Sequence, residues 1–312
     1  MGSLKELSSQ LTIRLEAENL IGRSHRCGIR LASTLASSVH ASLRWAPQGW
    51  ELKDLSSTNG SFRNGRKLAA GQAQLLEQGD ILAFGATDAG WVLSDAAQPG
   101  PVVVSEDGNR AFGTELIAVP SSDEPLTTVY RTGLGTWCVE QPGGAVEAIA
   151  NGGEFEAGGK RWRLFYPEQV SRTDTLHHEI RNIELVFTVS ADEEHVELVA
   201  RVAGDVVDLG ARANNYFLLT LARQRREDER VGHDARNAGW MHLATLGKAL
   251  ASDPDHINVD VCRIRKRFER HFRNAAQIIE RRPGTGQIRL GTACFQIIAT
   301  AAARVERALL EM

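Results

Sequence analysis

The 312-residue sequence predicts a multi-domain chain: an all-β sandwich, a small all-β module and a closing α+β domain. Three observations carry that reading. The first half consists of short alternating apolar and polar runs separated by Gly, Asn, Ser and Pro, with no helical period. Beyond residue 211 the apolar spacing changes to i, i+3, i+7. The length exceeds what one core usually serves, and Ala96-Ala-Gln-Pro-Gly-Pro101 reads as a linker. The expected boundaries are 8–96 for the sandwich, 100–168 for the module (or an extension of the sandwich), 169–180 for a linker and 181–312 for the last domain.

Hydrophobic residues at 42% and charged residues at 24% are enough to build and solvate several cores. Cys27, Cys138, Cys262 and Cys294 are scattered without CxxC spacing, so they predict reduced thiols in a cytoplasmic protein and no zinc site or disulfide scaffold. No apolar run approaches a membrane span, and Met1 to Gln10 lacks the apolar segment of a secretory signal. Charge is unevenly spread. Between Arg263 and Arg289 nine Lys or Arg face only Glu269 and Glu280, a local +7 on a chain of net −3, leaving −10 elsewhere. That asymmetry is the footprint of a local polyanion site.

The sandwich strands are read at Leu11-Thr-Ile-Arg-Leu, Ala41-Ser-Leu-Arg-Trp, Trp50-Glu-Leu-Lys-Asp-Leu, Asp80-Ile-Leu-Ala-Phe and Trp91-Val-Leu. Between them lies Asp54-Leu-Ser-Ser-Thr-Asn-Gly-Ser-Phe-Arg-Asn-Gly65, whose two Asn-Gly pairs mark turns that need positive φ. Four blocks then fall in one order: Ile21-Gly-Arg-Ser, Ser37-Ser-Val-His40, Ser57-Thr-Asn-Gly60 with Asn64-Gly65, and Gly79-Asp-Ile-Leu-Ala-Phe-Gly85. Together, across about 85 residues, they strongly resemble the forkhead-associated (FHA) domain. The resemblance implies an eleven-stranded sandwich whose loops bind phosphothreonine peptides. It gives Arg23 the role of phosphate clamp, for which a forked, permanently charged guanidinium is suited. It gives Ser37 a hydroxyl contact to phosphate, Thr58 a contact to the phosphate and threonine methyl, and Asn59 a hold on the peptide backbone. Gly22, His40, Gly60 and Asn64 are expected to brace the loops. Ser38 belongs to the expected pocket but stands where the family often carries a basic residue, which implies a weaker phosphate affinity.

Residues 100–168 contain further strand-like runs with Gly-rich turns and no chemical constellation; Trp137 and Trp162 are expected in the core. In the linker, Thr173 and Thr175 are candidate phosphorylation sites, which would make the chain's own segment a ligand. The adjacent His177 and His178 point apart in an extended chain and suggest no metal.

The last domain opens with strand-like alternation at Ile183–Val189, Val196–Val202 and Val206–Leu209, followed by helical spacing over Ala211–Arg226, Gly239–Leu250 and Ile257–His271. The third helix places Val261, Ile264 and Phe268 on one seam, so Arg263, Arg267 and Arg270 are expected to fall away from it. A hairpin follows around Pro283-Gly-Thr-Gly286. This order, with Ile257-Asn-Val-Asp-Val-Cys-Arg-Ile-Arg-Lys-Arg-Phe-Glu269 and the Arg282–Arg289 wing, resembles the OmpR-type winged helix-turn-helix domain. The resemblance implies duplex-DNA contacts from Asn258, Arg263, Arg265, Lys266 and Arg267, with Arg282 and Arg289 from the wing. Asp260 and Cys262 depart from the family pattern. Ile297 to Met312 is expected to be a helix covering the core or pairing subunits.

The sequence therefore predicts a phosphothreonine-responsive transcriptional regulator downstream of a Ser/Thr protein kinase, with no cofactor, no metal and no membrane partner, and with homodimerisation open. The rival reading is a phosphorylation-dependent scaffold whose winged helix docks protein. An enzyme is not expected, since no Gly-rich nucleotide loop or nucleophile–base pair stands out.

Overall fold

A computed structural model describes residues 1–87, 90–167 and 178–300. The described chain divides into two compact units, Met1–Val102 with residues 166–167, and Val103–Phe165 together with the described residues from 178 onward. Residues 103–165 cluster with the second unit.

In the first unit, alternation decides which side chains go inside. Along Gly49–Asp54, Trp50, Leu52 and Asp54 are buried while Lys53 is exposed. Eleven strands form two sheets. The six-stranded sheet runs in the order Thr12–Arg14, Ser3–Glu6, Gly90–Asp95, Ile81–Phe84, Ser61–Arg63, Arg66–Lys67. The five-stranded sheet runs Ile29–Arg30, Glu18–Gly22, Ala41–Ala46, Gly49–Asp54, Ala73–Leu75. Leu4, Ile21, Leu43, Trp50, Leu52, Leu82 and Leu93, all fully buried, form the core. Asn64 and Gly65 have φ of 50° and 77°, the two-residue turn of positive φ that suits the twist of the hairpin they join. Ser3–Glu6, which lacks the turn-bounded alternation of the other strands, is paired on both sides.

In the second unit, residues 103–165 contribute most of two four-stranded sheets. One runs Arg110–Phe112, Val102–Ser105, Lys160–Phe165, Glu154–Ala157; the other runs Leu116–Pro120, Pro125–Arg131, Trp137–Glu140, Val146–Ala148. Trp137 and Trp162 are buried as expected. Further on, Glu184–Val189, Val196–Val202 and Asp205–Ala211 make an antiparallel sheet, which Phe295–Ala299 extends by pairing parallel to Glu184–Val189. Three α-helices follow among the described residues: α1 (Asn215–Arg230), α2 (Leu243–Leu250) and α3 (Pro254–Glu269). The hairpin Ile279–Arg282/Gln287–Leu290 pairs with the short strand Met241–His242. One core joins sheet, helices and hairpin, with Phe187, Phe217, Ile264, Phe268 and Ile288 at its centre.

Two expectations need correction. Residues 297–299 of the expected C-terminal helix belong to the strand Phe295–Ala299, because β-branched Ile297 and Ile298 complete a sheet edge; 301–312 lie outside the described residues. Most of the expected linker, with Thr173, Thr175 and His177, also lies outside them, while His178–Glu179 pairs with Phe272–Arg273. All four cysteines are free. Among the described residues no helix is long and apolar enough to cross a membrane.

Trp50 has no exposed surface, and its indole N–H donates to the Ala97 carbonyl at 3.0 Å. Trp50→Ala is expected to destabilise the first unit by about 3–5 kcal/mol, read as a lower denaturation midpoint for that unit.

Candidate functional site

The loops at one end of the first sandwich are held by a buried carboxylate. Asp54 ends its strand 2% exposed. Its Oδ1 accepts the Ser57 N–H at 2.9 Å, and its Oδ2 accepts the Ser57 and Ser61 hydroxyls at 2.7 and 2.6 Å. The Ser57 hydroxyl oxygen in turn accepts the Gly60 N–H at 3.0 Å. Burial alone would raise the Asp54 pKa, but hydrogen bonds from Ser61 and Ser57 outweigh it and hold the carboxyl below its ordinary range. This lattice fixes the turn that carries Thr58 and Asn59.

His40 ties that turn to the loop before it. Its Nδ1 accepts the Ser37 N–H at 2.9 Å, so Nε2 carries the proton that reaches the Gly60 carbonyl at 3.1 Å. The ring is fully buried and meets Phe84 edge-on. His40 therefore braces the loops from inside.

Residues 35 to 37 are where the expected pocket members meet. Arg23 donates its backbone N–H to the Ser37 carbonyl at 3.1 Å and its Nε–H to the Ala36 carbonyl at 2.6 Å, with the side chain otherwise solvent-exposed. The Ser37 hydroxyl accepts the Thr58 N–H at 3.1 Å and lies 3.5 Å from the Thr58 hydroxyl. Asn59 donates Nδ2–H to the Leu35 carbonyl at 2.8 Å. Ser38 is exposed, and its carbonyl accepts the Ser24 N–H at 3.0 Å. Two glycines are needed where backbones crowd. A Cβ on Gly22 would lie 2.4 Å from the Ser38 carbonyl oxygen, and Gly60 has φ +90°. Asn64 exchanges hydrogen bonds with Asp80 and the Ile81 N–H, at 2.6 and 2.8 Å, pinning the hairpin behind the pocket.

Residues 19–85 match the family model of the FHA domain. The N-terminal unit contains an FHA domain. FHA domains are phosphothreonine-dependent protein-interaction modules rather than enzymes. Among solved structures, the chain is similar to the FhaA FHA domain crystallised with the intracellular domain of Rv3910 (32% identity over 30% of this chain and 98% of that one, TM-score 0.27). It is also similar to a chain from a study of phosphothreonine-dependent FHA domain interactions (30% identity, 31% and 98% covered, TM-score 0.28). A third similarity is to Mycobacterium tuberculosis EmbR in complex with a low-affinity phosphopeptide (26% identity, TM-score 0.28), covering 31% of this chain and 25% of that one. No curated protein matches the chain.

Three members of the FHA loop lattice carry no signal of their role in the sequence. Asp54 and Ser57 sit inside the motif, but their roles depend on which groups the fold buries beside them. The Lys67 side chain crosses over Gly60, with its Nζ 3.1 Å from where a Cβ there would stand, so a cation adjoins the turn carrying Thr58 and Asn59.

In the second unit, Val261, Ile264 and Phe268 form the expected buried seam of α3. Of the residues expected to fall away from that seam, Arg263 and Arg270 are exposed and Arg267 is partly buried, while Arg265, an expected DNA contact, is buried. Arg265 is 2% exposed and donates to both Glu140 carboxylate oxygens at 3.0 Å and to the Ile279 carbonyl at 2.7 Å, with Tyr130 5.3 Å below its guanidinium. Arg281 reaches the same carboxylate at 2.6 Å. Arg267 is partly buried against Asn215, 2.8 Å away, and burial beside Arg212 lowers its pKa to about 10. Arg263 donates to the Asp123 carbonyl, Lys266 to the Ser122 hydroxyl, and Asn258 to the Pro142 carbonyl at 3.0 Å. On the hairpin, Arg282 and Arg289 both stack on Trp240, at 4.5 and 4.4 Å, and Arg289 pairs with Glu280 at 2.7 Å. Cys262 is fully buried against Leu116, Ala118 and Ala276. Asp260 is partly buried, which raises its pKa despite Arg263 and His256 nearby.

The lowered Asp54 pKa sets a pH window. Its stabilisation is present above the unfolded-state value of 3.8 and is lost as pH falls through the lower folded value. The Ser57 amide resonance is expected to titrate below pH 3.8, and that titration is expected to vanish in Asp54→Asn.

Proposed function

We propose that this chain is a phosphothreonine-responsive DNA-binding regulator of the cytoplasm. Its FHA loops would capture a phosphothreonine on a partner, or on its own phosphorylated segment, after a Ser/Thr kinase has acted. Its C-terminal domain would engage duplex DNA.

The observation that carries the first half is the convergence of Arg23, Ser37, Thr58 and Asn59 on residues 35–37. A phosphate dianion placed there meets a guanidinium and two hydroxyls on a backbone already fixed by Asp54 and His40. Little ordering entropy remains to oppose binding. Lys67 supplies positive charge near the turn, in partial compensation for the absent basic residue at Ser38. Arg23→Ala is expected to abolish binding of a phosphothreonine peptide library, measured by titration, while the thermal midpoint stays unchanged. Equal binding by the variant would remove the phosphate role. Lys67→Ala is expected to weaken the same binding about threefold, with a shallower salt dependence.

The DNA half rests on the element order of sheet, α1, α2, α3 and hairpin, and on the +7 segment from Arg263 to Arg289. In a winged helix domain α3 is the groove-reading element. Phosphate contacts release counterions, so retardation of random duplex DNA should fall steeply with salt, with a log–log slope of about −0.9 per contact. Absence of any retardation at low salt would sink this half.

The second reading, a phosphorylation-dependent scaffold, is favoured by one observation. Arg263, Lys266 and Arg265 of α3 already contact protein groups at Asp123, Ser122 and Glu140, and Asn258 contacts Pro142. A chain that captures phosphothreonine partners normally and never retards DNA belongs to that class.

A further inference from the structure

We propose that residues 103–165 are an intramolecular cap on α3, and that capping and duplex-DNA binding are mutually exclusive. The proposal rests on the DNA reading above and adds how that site is controlled.

The cap contacts α3 along its length. Near the start of the helix, Asn258 donates to the Pro142 carbonyl at 3.0 Å. In the middle, Cys262 packs against Leu116 and Ala118, Arg263 meets the Asp123 carbonyl, and Arg265 and Lys266 meet Glu140 and Ser122. At the end, one Glu269 oxygen accepts the backbone N–H groups of Glu115 and Leu116, at 2.7 and 3.0 Å. Just beyond, the Glu115 carboxylate accepts the Asn274 N–H at 2.7 Å. Four side chains expected to face nucleic acid, Asn258, Arg263, Arg265 and Lys266, therefore have cap groups as partners. A duplex in a groove-reading pose would need the same side chains and the same space.

Two features make this contact suited to release. Among the described residues, the apolar cluster at this contact is small: Leu116, Ala118, Cys262 and Ala276, with Tyr130 beside them. The remainder is polar, as in contacts between domains that part and rejoin. Its charge is also unbalanced. Two guanidiniums, Arg265 and Arg281, share the single Glu140 carboxylate, and the buried Arg265 Nε–H and one Arg281 Nη group have no hydrogen-bond acceptor. One positive charge is left over in a water-poor site, where an uncompensated ion is costly. A polyanion supplies what the cap lacks, acceptors and negative charge. The acidic groups the cap itself offers to α3 and its flanks are Glu140 and Glu115.

The test uses the full chain and a random-sequence duplex at about 50 mM salt. Glu140→Gln keeps the shape of the latch and removes its charge, leaving every α3 residue in place. It is expected to bind duplex about tenfold more tightly than the parent. Thr128→Cys closes the latch instead, because Thr128 lies on the strand Pro125–Arg131 that packs against α3, beside the Cys262 side chain. The thiol introduced by that substitution can be joined to Cys262 by an added two-electron disulfide oxidant, which takes up both protons and both electrons. The cross-linked form is expected to lose duplex binding at least tenfold and to recover it on reduction with dithiothreitol. If the cross-linked form binds duplex as tightly as the reduced form, the cap is wrong and the DNA reading stands. If neither parent nor either variant retards duplex, although amide exchange in α3 is faster in Glu140→Gln, the DNA reading fails. Failure of the Thr128→Cys variant to form a cross-link to Cys262 overturns the contact itself. Should Glu140→Gln not fold, the reversible cross-link still decides the question.

Discussion

A buried carboxylate must be given hydrogen-bond donors or counter-charges, and each unit of this protein is arranged around one that has been. Asp54 collects donors from Ser57 and Ser61 and so dictates the path of the turn bearing Thr58 and Asn59. Glu140 collects Arg265 and Arg281 and so decides which face of α3 is covered. In both cases the carboxyl is held below its ordinary pKa range although burial pushes the other way.

The two lattices differ in completeness, and the difference matches what each site is proposed to do. Around Asp54 neutral donors satisfy the carboxylate, and His40 uses both ring nitrogens on neighbouring loops. The FHA loops are thereby preorganised, with Arg23 presented on the outside. Around Glu140 the positive charge exceeds the negative and some guanidinium N–H groups lack acceptors. Such a site is held by packing and by partial pairing, and it gains from an added anion.

Much of this is legible in the sequence. Asn64-Gly65 announces a two-residue hairpin turn because only residues tolerant of positive φ can make it. The seam of Val261, Ile264 and Phe268 follows from helical spacing alone. The FHA motif blocks locate Arg23, Ser37, Thr58 and Asn59 without any geometry. Ser3–Glu6 and Phe295–Ala299 are not legible as strands, since each becomes one by pairing with a distant segment, Gly90–Asp95 and Glu184–Val189 respectively. Short strands carry weak local preference, and their partners decide them.

What the sequence by itself determined is local: the periodicity of each element, the turns, and which side chains on α3 are basic. What only the tertiary structure decided is which of those side chains meet water. Amphipathic spacing can identify the apolar seam of a helix, but it says nothing of a second surface arriving from more than a hundred residues earlier in the chain. Glu140 lies 125 residues before Arg265. Their pairing depends on how the sheets of residues 103–165 pack on α3, and no local pattern in either segment encodes that distance.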